Sequence, residues 1–165
     1  MLSTFSIVAI DLRARQSGVA VQSKFLAAGA VVPYAQANIG AIATQAHANT
    51  AYGPNGLALL AQGLSAQETL ARLVAADEER DHRQAGIVDA QGRAAAHTGA
   101  KCFDWAGHHV GDGYTCQGNI LAGPAVVNNM ARAFESAAVN GEVVVREEHE
   151  PHQIEPVIFL YEVDD

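Results

Sequence analysis

The sequence predicts an α+β fold built mainly from antiparallel sheets. Apolar, strand-like runs come in pairs separated by short polar breaks that contain glycine, which is the pattern of β-hairpins. Helix-like segments occur in separate blocks and do not follow every strand, as they would in a doubly wound parallel sheet. A length of 165 residues with 49% hydrophobic residues fits one domain with a substantial core. We therefore expect a single domain over residues 1–165.

The first half of the chain predicts strands followed by two helices. Strands are predicted at residues 4–10, 19–21 and 39–43. A helix is predicted from Pro54 to Gly63, because the missing N–H of proline costs nothing in the first helical turn. Ser65 and Glu68 then have the spacing of a capping box, in which each side chain satisfies a free backbone N–H. This box predicts a second helix that ends near Ala76.

The second half predicts further strands around one long helix. Strands are predicted at residues 86–89, 93–97, 114–121, 143–145 and 157–161, with a long loop at residues 98–113 and an acidic linker at residues 146–156. The helix begins after Gly123 and Pro124, carries one apolar stripe, and ends at Asn140 and Gly141.

Composition excludes several classes of protein. The net charge is −8 with only ten Lys and Arg residues, whereas nucleic-acid binding needs clustered basic residues to neutralise phosphates. No apolar run reaches the length of a membrane span, and no signal-peptide pattern opens the chain, so we expect a cytoplasmic location. Cys102 and Cys116 fit no zinc pattern and are expected to be free thiols, unless adjacent strands bring them together to pair. Small molecules or proteins are therefore the expected partners.

Polar residues among small ones form three candidate clusters for chemistry. They are Thr4 with Ser6, residues 45–52, and residues 108–119. The sequence has no Gly-rich phosphate loop, zincin helix or nucleophile elbow. His108 and His109 would point to opposite sides of an extended segment, and no carboxylate or cysteine spacing supports them, so we predict no metal site.

Eight motifs in a fixed order resemble a known family. They are TFSIVAID, GVAV followed by SKFL, GAVVPYAQANIGAIATQA, YGPNGLALL, GLSAQETL, RQAGIVDAQGRAAAHTG, CFDWAGHHVGDGYTCQGNILAGP and MARAFE. Over residues 4–135 the chain resembles the bacterial and archaeal family of N-terminal nucleophile (Ntn) hydrolases classified as domain-of-unknown-function family 1028. The resemblance implies a four-layer αββα sandwich of the proteasome-subunit type, no cofactor, and assembly into a homo-oligomer, a dimer or larger.

The resemblance also implies a site centred on Thr4. Such hydrolases use Thr, Ser or Cys at a free N-terminus, where the α-amine of the same residue is the base for its hydroxyl or thiol. Thr4 is the implied nucleophile, Lys24 the group that tunes its hydroxyl, and Asn119 an oxyanion donor. The implied substrate-binding residues are Ser23, Gln45, Asn49, His108 and Gln117. The expected reaction is hydrolysis of a small amide or a related carbonyl compound.

Two departures from the family pattern keep an alternative open. Met1, Leu2 and Ser3 precede Thr4, so its nitrogen is an amide and catalysis requires cleavage between Ser3 and Thr4. The segment after about residue 138 is also shortened and more acidic than in the family. The alternative is a non-catalytic protein of the same fold that binds a small ligand or a partner protein. In that case Thr4 is a buried strand residue with a satisfied hydroxyl, Lys24 a solvated surface lysine, and Gln45 and Asn49 loop-capping amides.

Overall fold

A computed structural model of the chain describes residues 3–139 and 157–161. Within these residues it contains strands β1 (Thr4–Asp11), β2 (Gln16–Ser23), β3 (Pro33–Gln36), β4 (Gly40–Ala46), β5 (Arg83–Asp89), β6 (Ala94–Thr98), β7 (Gly107–Gly111), β8 (Tyr114–Asn119) and β9 (Val157–Tyr161). The α-helices are α1 (Ala28–Val31), α2 (Tyr52–Ala61), α3 (Ala66–Ala75) and α4 (Ala125–Val139).

The strands form two antiparallel sheets. The five-stranded sheet has the order β7-β8-β1-β2-β9, and the four-stranded sheet has the order β3-β4-β5-β6. Every neighbouring pair is antiparallel. The α+β class with antiparallel sheets is therefore confirmed, and Thr4 opens the central strand of the larger sheet.

Apolar side chains form three separate clusters. One lies between the two sheets and includes Val8, Val19, Val21, Ala43 and Val88. Another joins the four-stranded sheet to α2 and α3 and includes Ile42, Ile87, Leu60, Leu70 and Leu73. The third joins β8 to α4 and includes Tyr114, Cys116, Val127 and Ala131. Full burial of a side chain such as Ile42 contributes about 1.5–3 kcal/mol, so these clusters are the main source of stability.

The helices of the first half agree with the sequence signals at residue level. The capping box is confirmed, because Ser65 Oγ accepts from Glu68 N at 3.2 Å while Ser65 N donates to Glu68 Oε2 at 2.9 Å. Helix α2 begins two residues before Pro54, which still lies in the first turn where a missing N–H is tolerated. Gly56 allows α2 to lie close to its sheet, because a Cβ there would come within 2.4 Å of the Ile42 side chain.

The structure corrects one prediction and confirms others. The predicted loop at residues 98–113 contains strand β7, which pairs with β8 over Gly107–Gly111. This edge strand is polar and partly exposed, so its pairing with β8, rather than an apolar face, holds it in the sheet. Cys102 and Cys116 are free thiols, and β9 matches the strand predicted at residues 157–161. The strand predicted at residues 143–145 and the linker at residues 146–156 lie outside the described residues.

Candidate functional site

The two strands beside β1 bring Ser23 and Asn119 next to Thr4. In the antiparallel ladders, Thr4 is opposite Ser23 on β2 and opposite Asn119 on β8. Residues directly opposite in a ladder share one face of the sheet, with Cβ atoms about 4.5–5.5 Å apart. Thr4, Ser23 and Asn119 are all buried, at 9%, 8% and 3% exposure. Three residues that are distant in the sequence therefore form one polar row at the end of the larger sheet.

The hydroxyl of Ser23 connects the side chain of Thr4 to the peptide bond that precedes it. Ser23 Oγ lies 2.8 Å from Thr4 Oγ1 and donates to the carbonyl oxygen of Ser3 at 3.2 Å. It also accepts from the backbone N–H of Phe25 at 3.0 Å. A serine hydroxyl has one proton, so the proton in the Thr4–Ser23 bond belongs to Thr4.

A network of buried amides lies between the two sheets, beside this row. Ser6 Oγ donates to Gln45 Oε1 at 2.6 Å and accepts from Gln117 Nε2 at 2.7 Å. Gln84 Oε1 accepts from Gln45 Nε2 at 2.8 Å and from Asn119 Nδ2 at 3.0 Å. These five side chains are neutral and at most 3% exposed. The network can orient hydrogen-bonding groups, but none of its members is a base at neutral pH.

Gln84 extends the network to the surface through a threonine and a histidine. Its Nε2 donates to Thr98 Oγ1 at 2.9 Å, and Thr98 Oγ1 lies 2.9 Å from Nδ1 of His108. Partial desolvation lowers the pKa of His108, and the neighbouring imidazoles of His97 and His109 lower it further. In a neutral imidazole one ring nitrogen donates and the other accepts, so the tautomer of His108 sets the direction of its bond with Thr98.

Of the four buried side-chain oxygens that have no hydrogen-bond partner within the described residues, two lie beside Gly86. Thr115 Oγ1 and Gln117 Oε1 are buried and make no hydrogen bond within the described part of the chain. A Cβ at Gly86 would lie 2.3 Å from the first and 2.4 Å from the second, so only glycine fits beneath them. Both oxygens face the same backbone segment of β5.

Aromatic rings line the same end of the two sheets. His47 stacks on His82 with ring centroids 5.3 Å apart, and Phe103 lies 6.1 Å from His47. The carbonyl of Phe103 accepts from the N–H of Ile120 at 3.1 Å, directly after Asn119. Phe103 is 55% exposed, so this end of the molecule presents an apolar rim near the polar row.

The structure brings some of the residues predicted for the site together and separates others. Gln45 and Gln117 belong to the buried network, Ser23 contacts Thr4, and His108 is connected to the network through Thr98. Lys24 is exposed on the segment after β2. Asn49 lies elsewhere, because its Nδ2 donates to Asp77 Oδ2 at 2.9 Å.

Asp77 forms a second polar cluster near the start of α2. Arg83 Nε donates to its Oδ2 at 2.9 Å, and the N–H of Glu79 donates to Oδ1 at 2.9 Å. Desolvation would raise the pKa of Asp77, but the hydrogen bonds from Arg83, Asn49 and Glu79 outweigh it and hold the pKa well below its usual value. An open groove of about 500 Å³ runs beside this cluster between α2 and α3.

Sequence reasoning missed Gln84, which makes the most side-chain contacts in the buried network, and did not assign Ser6 or Thr98. The signal for Gln84 was present, since an amide inside the run QAGIVD of a buried strand must find hydrogen-bond partners. Its partners come from β4, β6, β7 and β8, which no local pattern reveals. Within residues 3–139 and 157–161, no three His, Cys, Asp or Glu residues converge to hold a metal ion. None of the described helices is long and apolar enough to cross a membrane.

Comparisons with known proteins identify relatives by family and fold. The sequence model described as "Family of unknown function (DUF1028)" matches residues 4–146. A DUF1028 protein of known crystal structure from Silicibacter pomeroyi is 30% identical, with a TM-score of 0.78 over 81% of this chain. The match covers 60% of the length of that protein. A comparison with curated proteins found no match.

Proposed function

The chain belongs to the DUF1028 family, and from its site we propose that it is an amidohydrolase of the Ntn type with Thr4 as the nucleophile. One observation carries this proposal: the Ser23 hydroxyl bonds both the Thr4 hydroxyl and the carbonyl oxygen of the Ser3–Thr4 peptide bond. The same serine thus contacts the attacking oxygen and the oxygen that would become negative. This arrangement suits cleavage at Ser3–Thr4, which must precede catalysis.

The cleavage is a rearrangement of the chain followed by hydrolysis. Thr4 Oγ1 attacks the carbonyl carbon of Ser3 through a five-membered ring, and its proton passes to Ser23 Oγ. The proton of Ser23 moves towards the Ser3 oxygen, which stabilises the developing negative charge. The C–N bond then breaks as the Thr4 nitrogen takes up a proton, which leaves Ser3 as an ester on Thr4. Water hydrolyses the ester, releasing the peptide Met1-Leu2-Ser3 and a free Thr4 amine.

Turnover of a substrate repeats the same chemistry with the freed amine. An α-amine has a pKa of about 7.7–8.0, so it is a base near neutral pH. It accepts the Thr4 hydroxyl proton while Oγ1 attacks the substrate carbonyl, and then donates that proton to the leaving nitrogen. Water hydrolyses the acyl ester on Thr4. Once Ser3 has left, the Ser23 hydroxyl is available to the carbonyl oxygen of the substrate.

We further propose a four-layer architecture, a role for Lys24, a cellular location and an oligomeric state. The three apolar clusters support a four-layer αββα sandwich, with α2 and α3 outside one sheet and α4 outside the other. Lys24 follows Ser23 directly, and we propose that its ammonium lowers the pKa of the Thr4 hydroxyl. We place the protein in the cytoplasm as a homo-oligomer, and sedimentation as a monomer at micromolar concentration would contradict the oligomer.

A non-catalytic role in binding a small ligand or a partner protein is the second candidate. It is favoured by the closed state of Thr4, which is only 9% exposed and whose hydroxyl already has a partner. In this case Ser3 stays attached and the Ser23 bonds only hold the start of β1. The two functions differ in one measurable property, the chemical state of the N-terminus.

Intact-mass spectrometry of purified variants separates the two functions. Wild-type protein should lose Met1 to Ser3, Thr4→Val should not, and Ser23→Ala should cleave about 100-fold more slowly, as expected for loss of one oxyanion donor. Ser17→Ala is the matched control, because Ser17 is equally buried at the other end of β2 and should leave cleavage unchanged. Two results together would contradict the hydrolase and favour the binding role. The wild-type chain would stay intact, and a chain made to start at Thr4 would not be acylated by a β-lactone.

A further inference from the structure

We propose that Asn119 presents its side-chain carbonyl oxygen to the group held at Thr4, so that the site accepts an N–H donor there, and that Gln84 is the positioning residue that sets this direction. The orientation follows from hydrogen-bond geometry alone, while its use in catalysis rests on the proposed function. It differs from the role implied by the family resemblance, in which Asn119 donates to an oxyanion.

The orientation of Gln84 is fixed by two main-chain carbonyls. One end of its amide lies 2.8 Å from the oxygen of Gly118 and 3.1 Å from the oxygen of Gly107. Carbonyl oxygens only accept, so the amide atom that faces them must be the NH2 nitrogen. The reverse orientation would place three oxygens together and remove this donor from both carbonyls.

The orientation of Asn119 follows from that of Gln84. Because Nε2 of Gln84 faces the carbonyls, its Oε1 faces Gln45 and Asn119, at 2.8 Å and 3.0 Å. An oxygen with only lone pairs requires donors, so Asn119 must turn its own NH2 group towards Gln84. Its carbonyl oxygen Oδ1 then points away from Gln84, on the other side of the planar amide.

The same direction continues to the far end of the network. With Gln45 Nε2 bonded to Gln84, Gln45 Oε1 must accept from Ser6, and Ser6 must in turn accept from Gln117 Nε2. This leaves Gln117 Oε1, the last oxygen of the series, without a hydrogen-bond donor. In the described residues this oxygen is unpartnered and fully buried. The direction imposed by two glycine carbonyls therefore propagates through four side chains.

The free acceptor on Asn119 lies beside the proposed nucleophile. Asn119 is directly opposite Thr4 in the ladder, and it is 3% exposed. The hydrogen bond of Asn119 within residues 3–139 uses Nδ2, which leaves Oδ1 available. A buried acceptor gains most from an N–H group. Two sources supply one: the α-amine of Thr4 after cleavage, and the N–H of a primary or secondary amide ligand.

Nuclear magnetic resonance tests the orientation of the Gln84 and Asn119 amides without an activity assay. In uniformly 15N-labelled protein, the NH2 groups of Gln45 and Asn119 should show a mutual NOE, because both nitrogens contact one oxygen of Gln84. Gln84→Met should abolish this NOE and speed exchange of the Asn119 NH2 protons about tenfold, the loss of one net hydrogen bond. The exposed amide of Gln62 is the internal reference and should not change. NOEs from the Asn119 NH2 to the Thr4 methyl group, with none to Gln45, would overturn the inference.

A second measurement, on a chain that starts at Thr4, distinguishes the two sources of N–H. If the Thr4 amine is the donor, the Asn119 13Cγ signal follows the titration of that amine between about pH 6 and 9. If a ligand is the donor, the Asn119 13Cγ signal does not change with pH. It shifts on addition of N-methylacetamide but not of N,N-dimethylacetamide, which lacks an N–H. Equal response to both amides, or no response to pH or either amide, would overturn the inference. Failure of β-lactone acylation, by contrast, would remove only the hydrolase proposal.

Discussion

Replacing Gln84 by methionine should destabilise the protein by about 4 kcal/mol. Methionine has nearly the same length and volume, so the change removes hydrogen bonds without creating a large cavity. Gln84 is 0% exposed, and its loss leaves the carbonyls of Gly107 and Gly118 without this donor. A buried polar group left unsatisfied costs about 1–3 kcal/mol, so two such groups give about 2–6 kcal/mol.

Urea unfolding and thermal unfolding provide the assay. For a chain of about this length, 1 kcal/mol corresponds to about 2–4 °C, so the melting temperature should fall by roughly 8–16 °C. Gln36→Met on the exposed edge strand β3 is the matched control and should stay within about 0.5 kcal/mol of wild type. A Gln84→Met protein within 1 kcal/mol of wild type would refute the view that these bonds stabilise the site.

Glutamate at the same position tests the direction of the bonds. Gln84→Glu keeps the acceptor that faces Gln45 but places a carboxylate against two carbonyl oxygens. Burial and the carbonyls raise the pKa of this carboxyl in the folded state above its unfolded value of about 4.3. The destabilisation should therefore be largest at neutral pH, shrink as the pH falls through the raised folded pKa towards about 4.3, and be smallest below that, because the protonated acid can donate again. Equal destabilisation at pH 4 and pH 7 would contradict this.

Three further predictions concern other parts of the structure. Asp77→Asn should cost about 1.5–3 kcal/mol at pH 7, because Arg83 loses its buried carboxylate partner but keeps its ion pair with Glu79. Since the folded pKa of Asp77 is depressed, the difference from wild type in urea unfolding should narrow as the pH drops below about 4. Gly86→Ala should cost about 1–3 kcal/mol, because its Cβ would meet Gln117 Oε1 at 2.4 Å, and an unchanged melting temperature would contradict the close packing. Burial raises the pKa of Cys116 to about 12, so this thiol should react with a disulfide reagent only after unfolding, and fast reaction of the native protein at pH 8 would show that the site opens.

Local signals in the sequence predicted most of the secondary structure. The capping box of Ser65 and Glu68 and the hairpin between β5 and β6 depend on residues close in the chain, and both are present. Strand β7 was missed because its residues carry almost no apolar alternation, and pairing with β8 makes it a strand. A strand that depends on its neighbour rather than on its own side chains leaves little trace in a single sequence.

The candidate site was predictable only in part. The row of Thr4, Ser23 and Asn119 joins residues named from the family resemblance, and the ladder registers put them side by side. Lys24 is exposed and Asn49 contacts Asp77, so neither contacts this row in the chain as it stands. The central position of Gln84 depends on strand order and register between two sheets, which residue types and spacing do not determine.

The most direct test of the proposed hydrolase is one intact-mass measurement on purified protein after incubation with a β-lactone. We predict a chain that begins at Thr4 and carries a single acyl adduct, because the freed amine activates the Thr4 hydroxyl. Parallel treatment of Thr4→Val should give an uncut chain with no adduct. A wild-type chain that retains Ser3 and carries no adduct would contradict the account.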